Sequence, residues 1–227
     1  MTKNNMTKEK ISFHDIFYIF LFGCFFGWIV EGIWSYLKRG ILLNHSALVI
    51  GPFNVVYGVS AVVLTIMLFR VKEKKYIEIF GISLAVGTIL EYIMSFLMEK
   101  MLGFVAWNYS KKPFNINGRV CLMYSIFWGI LGIVWIKLIY PRLKKIISKF
   151  NKKKSYKFIV AMCVFLVFNT ILTFAAVERG KEFEKGIPPE NKFEVFLDEH
   201  FGVEYLNNMY NNRWNRKGSL SNSVGRQ

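Results

Sequence analysis

Five apolar runs, each close to the length that crosses a bilayer, recur along this chain of 227 residues. A spanning helix needs about 20 predominantly apolar residues. The hydrocarbon core offers no water to an unpaired peptide group, so runs of this length are expected to be helical. They fall at residues 13–37, 52–69, 77–98, 120–140 and 158–177. Composition agrees, with 53% hydrophobic and 17% aromatic residues, too apolar for an ordinary soluble domain. The fold class expected is all-α, a polytopic integral membrane bundle of about five transmembrane helices with a short amphipathic C-terminal tail. Lys3, Lys8 and Lys10 ahead of the first run imitate a signal peptide. That run is about twice the usual signal-peptide core and has no small-residue cleavage site, so it reads as a retained helix.

Charge orients the bundle. The net charge of +15 resides before Glu178, because acids and bases balance in the tail. Basic residues crowd the N-terminal arm, the short loop 70–76 and the loop 142–157. Five spans put these segments on one side, and the positive-inside rule makes that side the cytoplasm, with a cytoplasmic N-terminus. The basic face suits membrane lipids with anionic headgroups rather than nucleic acid. The domain plan is a basic arm at 1–12, a transmembrane domain at 13–177 with polar loops at 38–58 and 99–119, an amphipathic tail at 178–212 and a disordered end at 213–227. In the tail, Phe193, Phe196, Leu197 and Phe201 form a helical apolar stripe. A second short helix is expected over 204–210.

Helical spacing identifies the buried faces. Gly23, Gly27 and Glu31 recur every four residues and lie on one stripe. The Gly23–Gly27 pair permits close helix approach, which turns Glu31 into the bundle. The third run repeats the plan with Ser83, Gly87, Glu91 and Ser95, and the fourth offers Ser125, Gly129 and Gly132. Glu31 and Glu91 lie about 9–10 Å below the same membrane boundary. An unpaired ionised acid there costs several kcal/mol, so a partner or a wet cavity is required. Arg119, at the end of the fourth run, is the expected counter-charge, with Asn54, Tyr57 and Asn115 as further hydrogen-bonding groups. Glu99 is expected to snorkel to water.

The two polar loops are punctuated by Gly51-Pro52 and by Pro113 and Gly118. Gly51-Pro52 fits a helix beginning at the proline. The apolar stretch 47–50 suggests a segment dipping back into the bilayer, and the Asn-rich second loop suggests a folded cap. Cys24, Cys121 and Cys163 have no metal-type spacing and read as packing residues. No metal site or cofactor is expected. His14, His45 and His200 fall on three different elements.

A joint pattern of residues carries a resemblance. It comprises Gly27-Trp28 with Glu31, Gly51-Pro52, Tyr57-Gly58, Glu91 with Glu99-Lys100, Trp107-x-Tyr109-Ser110, Pro113-Phe114-Asn115 and Gly118-Arg119. Cys121-Leu122, Ser125, Trp128-Gly129, Asn191-x-Phe193 and Leu197-Asp198 extend it. The chain resembles the bacterial ABC-transporter type IV family of membrane permeases over roughly residues 20–211. Asn108 stands where that family usually has Asp, and His45-Ser46 where Arg-Gly is more usual. The resemblance implies a permease, with Asn108, Tyr109 and Ser110 joining the candidate substrate pathway.

No Gly-x-x-x-x-Gly-Lys-Ser/Thr phosphate loop is present, so no ATPase activity is expected of the chain itself. A separate ATPase subunit or a homo-oligomer is the partner such a permease would need. A non-catalytic membrane scaffold or envelope assembly factor is the alternative. An intramembrane enzyme using Glu31 and Glu91 as acid and base is the lesser one, since there is neither a nucleophile elbow nor a zinc-spaced histidine pair.

Overall fold

The computed structural model describes residues 11–103 and 107–210. Helix α1 (Phe13–Arg39) opens on a capping box, in which Ser12 N donates to Asp15 Oδ2 at 2.9 Å and Asp15 N donates to Ser12 Oγ at 3.3 Å. It is followed by α2 (Val55–Phe69), α3 (Tyr76–Leu102), a two-stranded antiparallel ribbon of β1 (Asn115–Ile116) and β2 (Val120–Cys121), and α4 (Leu122–Val134). A π-helical turn (Trp135–Ile139) joins α4 to α5 (Tyr140–Ser148) in one rod; α6 (Lys152–Glu184), α7 (Lys192–Phe201) and α8 (Val203–Met209) complete the chain. The all-α membrane architecture is therefore observed.

Among the described residues, four helices are long and apolar enough to span a bilayer: α1, α3, the rod Leu122–Ser148, and α6. With 15 residues, α2 is shorter, about 22 Å against a hydrocarbon core of about 30 Å. Irregular chain from Asn44 to Asn54 leads into it from the loop end. There Val49 is 2% exposed, and its N–H donates to Thr173 Oγ1 at 3.0 Å. Asn169, fully buried on α6, accepts from Ile50 N at 3.1 Å and donates to Ile50 O at 2.7 Å. Backbone that leaves helical form while buried needs such partners.

Several boundaries differ from the sequence expectation. The second helix starts at Val55, not at Pro52, because Asn54 caps it and its N–H donates to Cys24 O at 3.1 Å, while Gly51 and Pro52 serve the preceding turn. Val120 and Cys121 belong to the ribbon, so the fourth helix starts at Leu122. That helix continues past residue 140 to Ser148, and the basic segment 142–157 is mostly helical, with its break at 149–151. Pro141 explains the π turn just ahead of it. Proline cannot donate to the helical ladder and crowds the preceding turn, and Tyr140 N instead reaches back to Trp135 O. The last span runs to Glu184, beyond residue 177, and the tail begins after it.

Packing forms two cores. Toward the basic end, Ile19, Leu64, Leu68, Ile79, Trp135 and Ile136 bring α1, α2, α3 and the rod together. The Asp15–Lys144 ion pair at 2.6 Å closes this end. Toward the loop end, Val49, Leu102, Leu172, Val177, Leu197 and Leu206 gather the irregular segment, α3, α6 and the tail helices. Tyr205 Oη donates to Val49 O at 2.6 Å and Tyr210 Oη to Ala47 O at 3.3 Å. The tail therefore sits on the same end as the polar loops. Within its expected apolar stripe, Leu197 is buried and Phe201 partly so, whereas Phe193 and Phe196 remain exposed. Residues 1–10 and 211–227, where a basic arm and a disordered end are expected, lie outside the described residues.

Candidate functional site

Glu31 and Glu91 each sit four residues after a glycine on an inward helix face, and each glycine seats an aromatic from the neighbouring helix. A Cβ added at Gly27 would lie 2.2 Å from Tyr57 Cγ, and one at Gly87 would lie 2.3 Å from Trp128 Cγ. Close approach turns these aromatics onto the acids. Tyr57 Oη donates to Glu31 Oε1 at 2.7 Å, and Trp128 Nε1 donates to Glu91 Oε2 at 3.1 Å. Gly23, packed on Ala61, and Gly129, packed on Phe80, also sit at helix contacts. Gly132 meets Ser83, and Ser125 Oγ accepts from Thr88 Oγ1 at 2.7 Å. Gly23, Gly27, Gly87, Ser125, Gly129 and Gly132 each lie against a neighbouring helix.

The second loop folds down over α3. Asn117 and Gly118 both have positive φ, 53° and 67°, the geometry that an Asn-Gly hairpin turn demands. Arg119 N closes the turn on Ile116 O at 3.0 Å. Tyr109 N donates to Gly118 O at 2.7 Å, and Trp107 Nε1 to Arg119 O at 2.8 Å. This scaffold points Tyr109 at Glu91, its hydroxyl donating to Oε1 at 3.0 Å. Burial, with the Glu91 carboxylate beside it, pushes the Tyr109 hydroxyl above the usual tyrosine range, so it is a donor at neutral pH. Tyr124 stacks on Tyr109 with centroids 4.5 Å apart.

Helix α2, which carries the Tyr57 partner of Glu31, packs against α3, which carries Glu91. Glu91 is 8% exposed, and the Glu31 side chain is 30% exposed. His45 Nδ1 stands 3.8 Å from Glu31 Oε2. The result is a polar locus where α1, α2, α3, α4 and both loops meet, with one acid from each of two similarly built helix pairs and aromatic donors around them.

Other sequence-named residues fall elsewhere. Arg119 pairs with Glu99 instead of Glu31 or Glu91, and the Glu99 side chain, 40% exposed, is held by that pair. Arg119 Nη1 also donates to Ser95 Oγ at 3.2 Å, and the guanidinium packs over the rings of Tyr92 and Phe96. Its direction is set by the hairpin, which a linear depth estimate does not contain. Asn54 caps α2 and donates to His45 O at 3.1 Å. Asn108, Ser110 and Asn115 bond within the loop: Asn108 Oδ1 accepts from Ser110 N at 2.8 Å, and Asn115 Nδ2 donates to Lys112 O at 2.9 Å. Pro113 lies exposed in the same loop. These residues shape the cap and do not reach the acids.

Sequence reasoning passed over His45, Trp128 and Asn169 as site or support residues. Asn169 and Thr173 carried a usable signal, two polar residues four apart in a span that is otherwise apolar except for Thr170. Two apolar grooves lie away from the acids, one between α3 and α4 beneath Phe114 and Ile116, the other between α1 and the rod at the basic end. No group of three or more His, Cys, Asp or Glu among the described residues is placed to hold a metal ion.

Compared with known protein families, residues 18–174 match the family described as "Putative ABC-transporter type IV". No curated protein and no solved structure matches the chain. The family match takes in both acids, both loops and most of the length of α6, and leaves α7 and α8 beyond it. With well over half of its length matched and four helices able to cross a bilayer, this membrane protein belongs to the ABC-transporter type IV family.

Proposed function

We propose that the chain is the membrane-embedded component of a transport system, and that Glu31 and Glu91 line the path of a cation or of a solute bearing a cationic group. One observation carries the reading: two carboxylates within membrane helices, each held by aromatic donors, Tyr57 on Glu31 and Tyr109 and Trp128 on Glu91, with Tyr124 stacked on Tyr109. Acids at membrane depth are costly and mark pathways more often than packing. Aromatic faces add attraction for a cation that has shed its water. In this reading the chain is a carrier and not an enzyme. ATP hydrolysis would belong to a separate subunit docked at the basic end, because the sequence holds no phosphate loop. The positive-inside rule puts that end and the N-terminus in the cytoplasm, so the acids open toward the opposite side.

Purification from native membranes in mild detergent, with mass spectrometry of co-purifying proteins, is the first test. A stoichiometric ATPase whose hydrolysis responds to a cationic solute, and whose response is lost in Glu31→Gln and Glu91→Gln at equal membrane levels, is the expected result. Full response in both variants would remove the acids from the path.

A second reading has its own support. Glu31, Glu91 and Glu99 are each held by side chains from other segments, as in a scaffold locked by polar contacts. A scaffold would lose thermal stability or a partner protein on Glu91→Gln, whereas a carrier would keep its fold and lose flux.

A further inference from the structure

We infer that the seam between α1 and the α4–α5 rod at the basic end is a binding site for an anionic phospholipid, a site separate from the acids and independent of the transport reading. The seam is a groove of about 420 Å³ lined by Phe22, Leu138, Ile139, Leu143 and Ile146, with Arg142 as its one charged residue. Its wall includes part of the π turn, whose extra residue changes the register of the rod ahead of Pro141. An apolar trough closed by one cation fits an acyl chain below and a phosphate above.

Depth places the cation at the headgroups. From Leu122 to Arg142 the rod advances about 30 Å at 1.5 Å per residue, the thickness of the hydrocarbon core. Arg142 therefore emerges at the phosphate level while Leu138 and Ile139 remain among the acyl chains. Its guanidinium gives Nη1 to Leu138 O at 2.8 Å, is exposed, and has no other partner among the described residues. The remaining donors of the planar fork suit phosphate oxygens. Lys145 and Lys149 follow at helical spacing on the same face, both exposed. Lys144 is turned away, onto Asp15. Charge complementarity thus selects an anionic headgroup, and the apolar lining selects a lipid over free phosphate.

The test uses the full-length protein in mild detergent with a defined mixture of phosphatidylglycerol and phosphatidylcholine, read by native mass spectrometry. Wild type should retain phosphatidylglycerol in preference. The double variant Arg142→Gln/Lys145→Gln should lose roughly 25-fold of that retention, at about fivefold for each charge near the headgroups. Lys152→Gln/Lys153→Gln removes the same charge from the same end without touching the groove and should leave retention unchanged. Ile146→Trp fills the trough from an exposed position and should lower retention with no change of charge. Equal loss in the two double variants would mean diffuse attraction and overturn the site. So would retention unaffected by Ile146→Trp, equal retention of the two lipids, or inorganic phosphate binding as well as the lipid does. A dimer dissolved by Ile146→Trp would put a second copy in the groove and would also overturn it.

Discussion

Gly27 and Gly87 allow Tyr57 and Trp128 to pack closely against α1 and α3, and so bring a hydroxyl and an indole N–H onto Glu31 and Glu91. A methyl at either position falls 2.2–2.5 Å from the Cβ and Cγ atoms of the aromatic side chain it faces. Gly27→Ala and Gly87→Ala should each destabilise by about 1–3 kcal/mol through overpacking. Gly32 is the control on the same helix, with nothing within 4 Å of an added Cβ. Gly32→Ala should be neutral or stabilising by up to about 1 kcal/mol. Thermal melting in detergent checks this, and identical melting shifts for the three would show that the glycines do not seat the aromatics. The Arg119–Glu99 pair is the other residue-scale unit. Because each holds the other, Arg119→Ala and Glu99→Gln should be non-additive, with a coupling of about 0.5–3 kcal/mol in a double-mutant cycle. Arg119→Ala should cost more alone, since it also gives up Ser95 and the Tyr92 and Phe96 faces. Additive effects would mean the pair is not coupled.

At the scale of elements, the hairpin cap converts a polar loop into a positioning device for Tyr109. Its turn rests on Gly118, where φ is +67° and an added Cβ would stand 2.7 Å from Ser110 Oγ and 2.8 Å from Asn108 Oδ1. Gly118→Ala should therefore speed amide hydrogen exchange at Tyr109, whose N–H is held by Gly118 O, and leave α6 unaffected. Unchanged exchange at Tyr109 would show that the cap does not depend on this turn. The helices themselves were readable from the sequence, because a run such as 77–98 has one solution in lipid and its stripe of Ser83, Gly87 and Glu91 names the inward face. Partner choice was not readable. By depth alone Arg119 could meet Glu31, Glu91 or Glu99, and the hairpin's angle selects Glu99. Nor was the start of α2, since Pro52 and Asn54 both carry helix-start chemistry, and the contact of Asn54 N with Cys24 O decides between them only in three dimensions. The fold's repeated unit was half visible: spacing revealed the two acidic stripes, while the aromatics answering them come from neighbouring helices at no fixed distance in sequence.

Across the whole molecule, the two ends have opposite chemistry, and the tail belongs to the loop end. Arg179, 3% exposed, forks onto Asp198 at 2.9 and 2.8 Å and donates to Ile187 O at 3.1 Å, fixing α7 against the end of α6. Tyr205 and Tyr210 then bind the backbone of the segment that also carries His45. A buried guanidinium is tolerable only when its donors are answered in this way. The tail helices and the hairpin cap must therefore face the same compartment, whichever it is, and the lysines of the α5–α6 turn must face the other. In the orientation proposed from the positive-inside rule, the lysines lie in the cytoplasm and the tail and cap outside. Single cysteines at exposed positions separate these two statements. In intact cells, Lys112→Cys in the cap and Glu199→Cys on α7 should both react with a membrane-impermeant maleimide, while Lys153→Cys should react only after permeabilisation. Cys24 and Cys121 are buried and contribute little background; Cys163→Ser removes the half-buried third. If the pattern inverts for all three positions, the fold stands and the orientation is reversed, which would carry the proposed ATPase docking face to the wrong side. If Lys112→Cys and Glu199→Cys label from different sides, the tail does not rest on the loop end, and the Arg179–Asp198 contact cannot be what holds it.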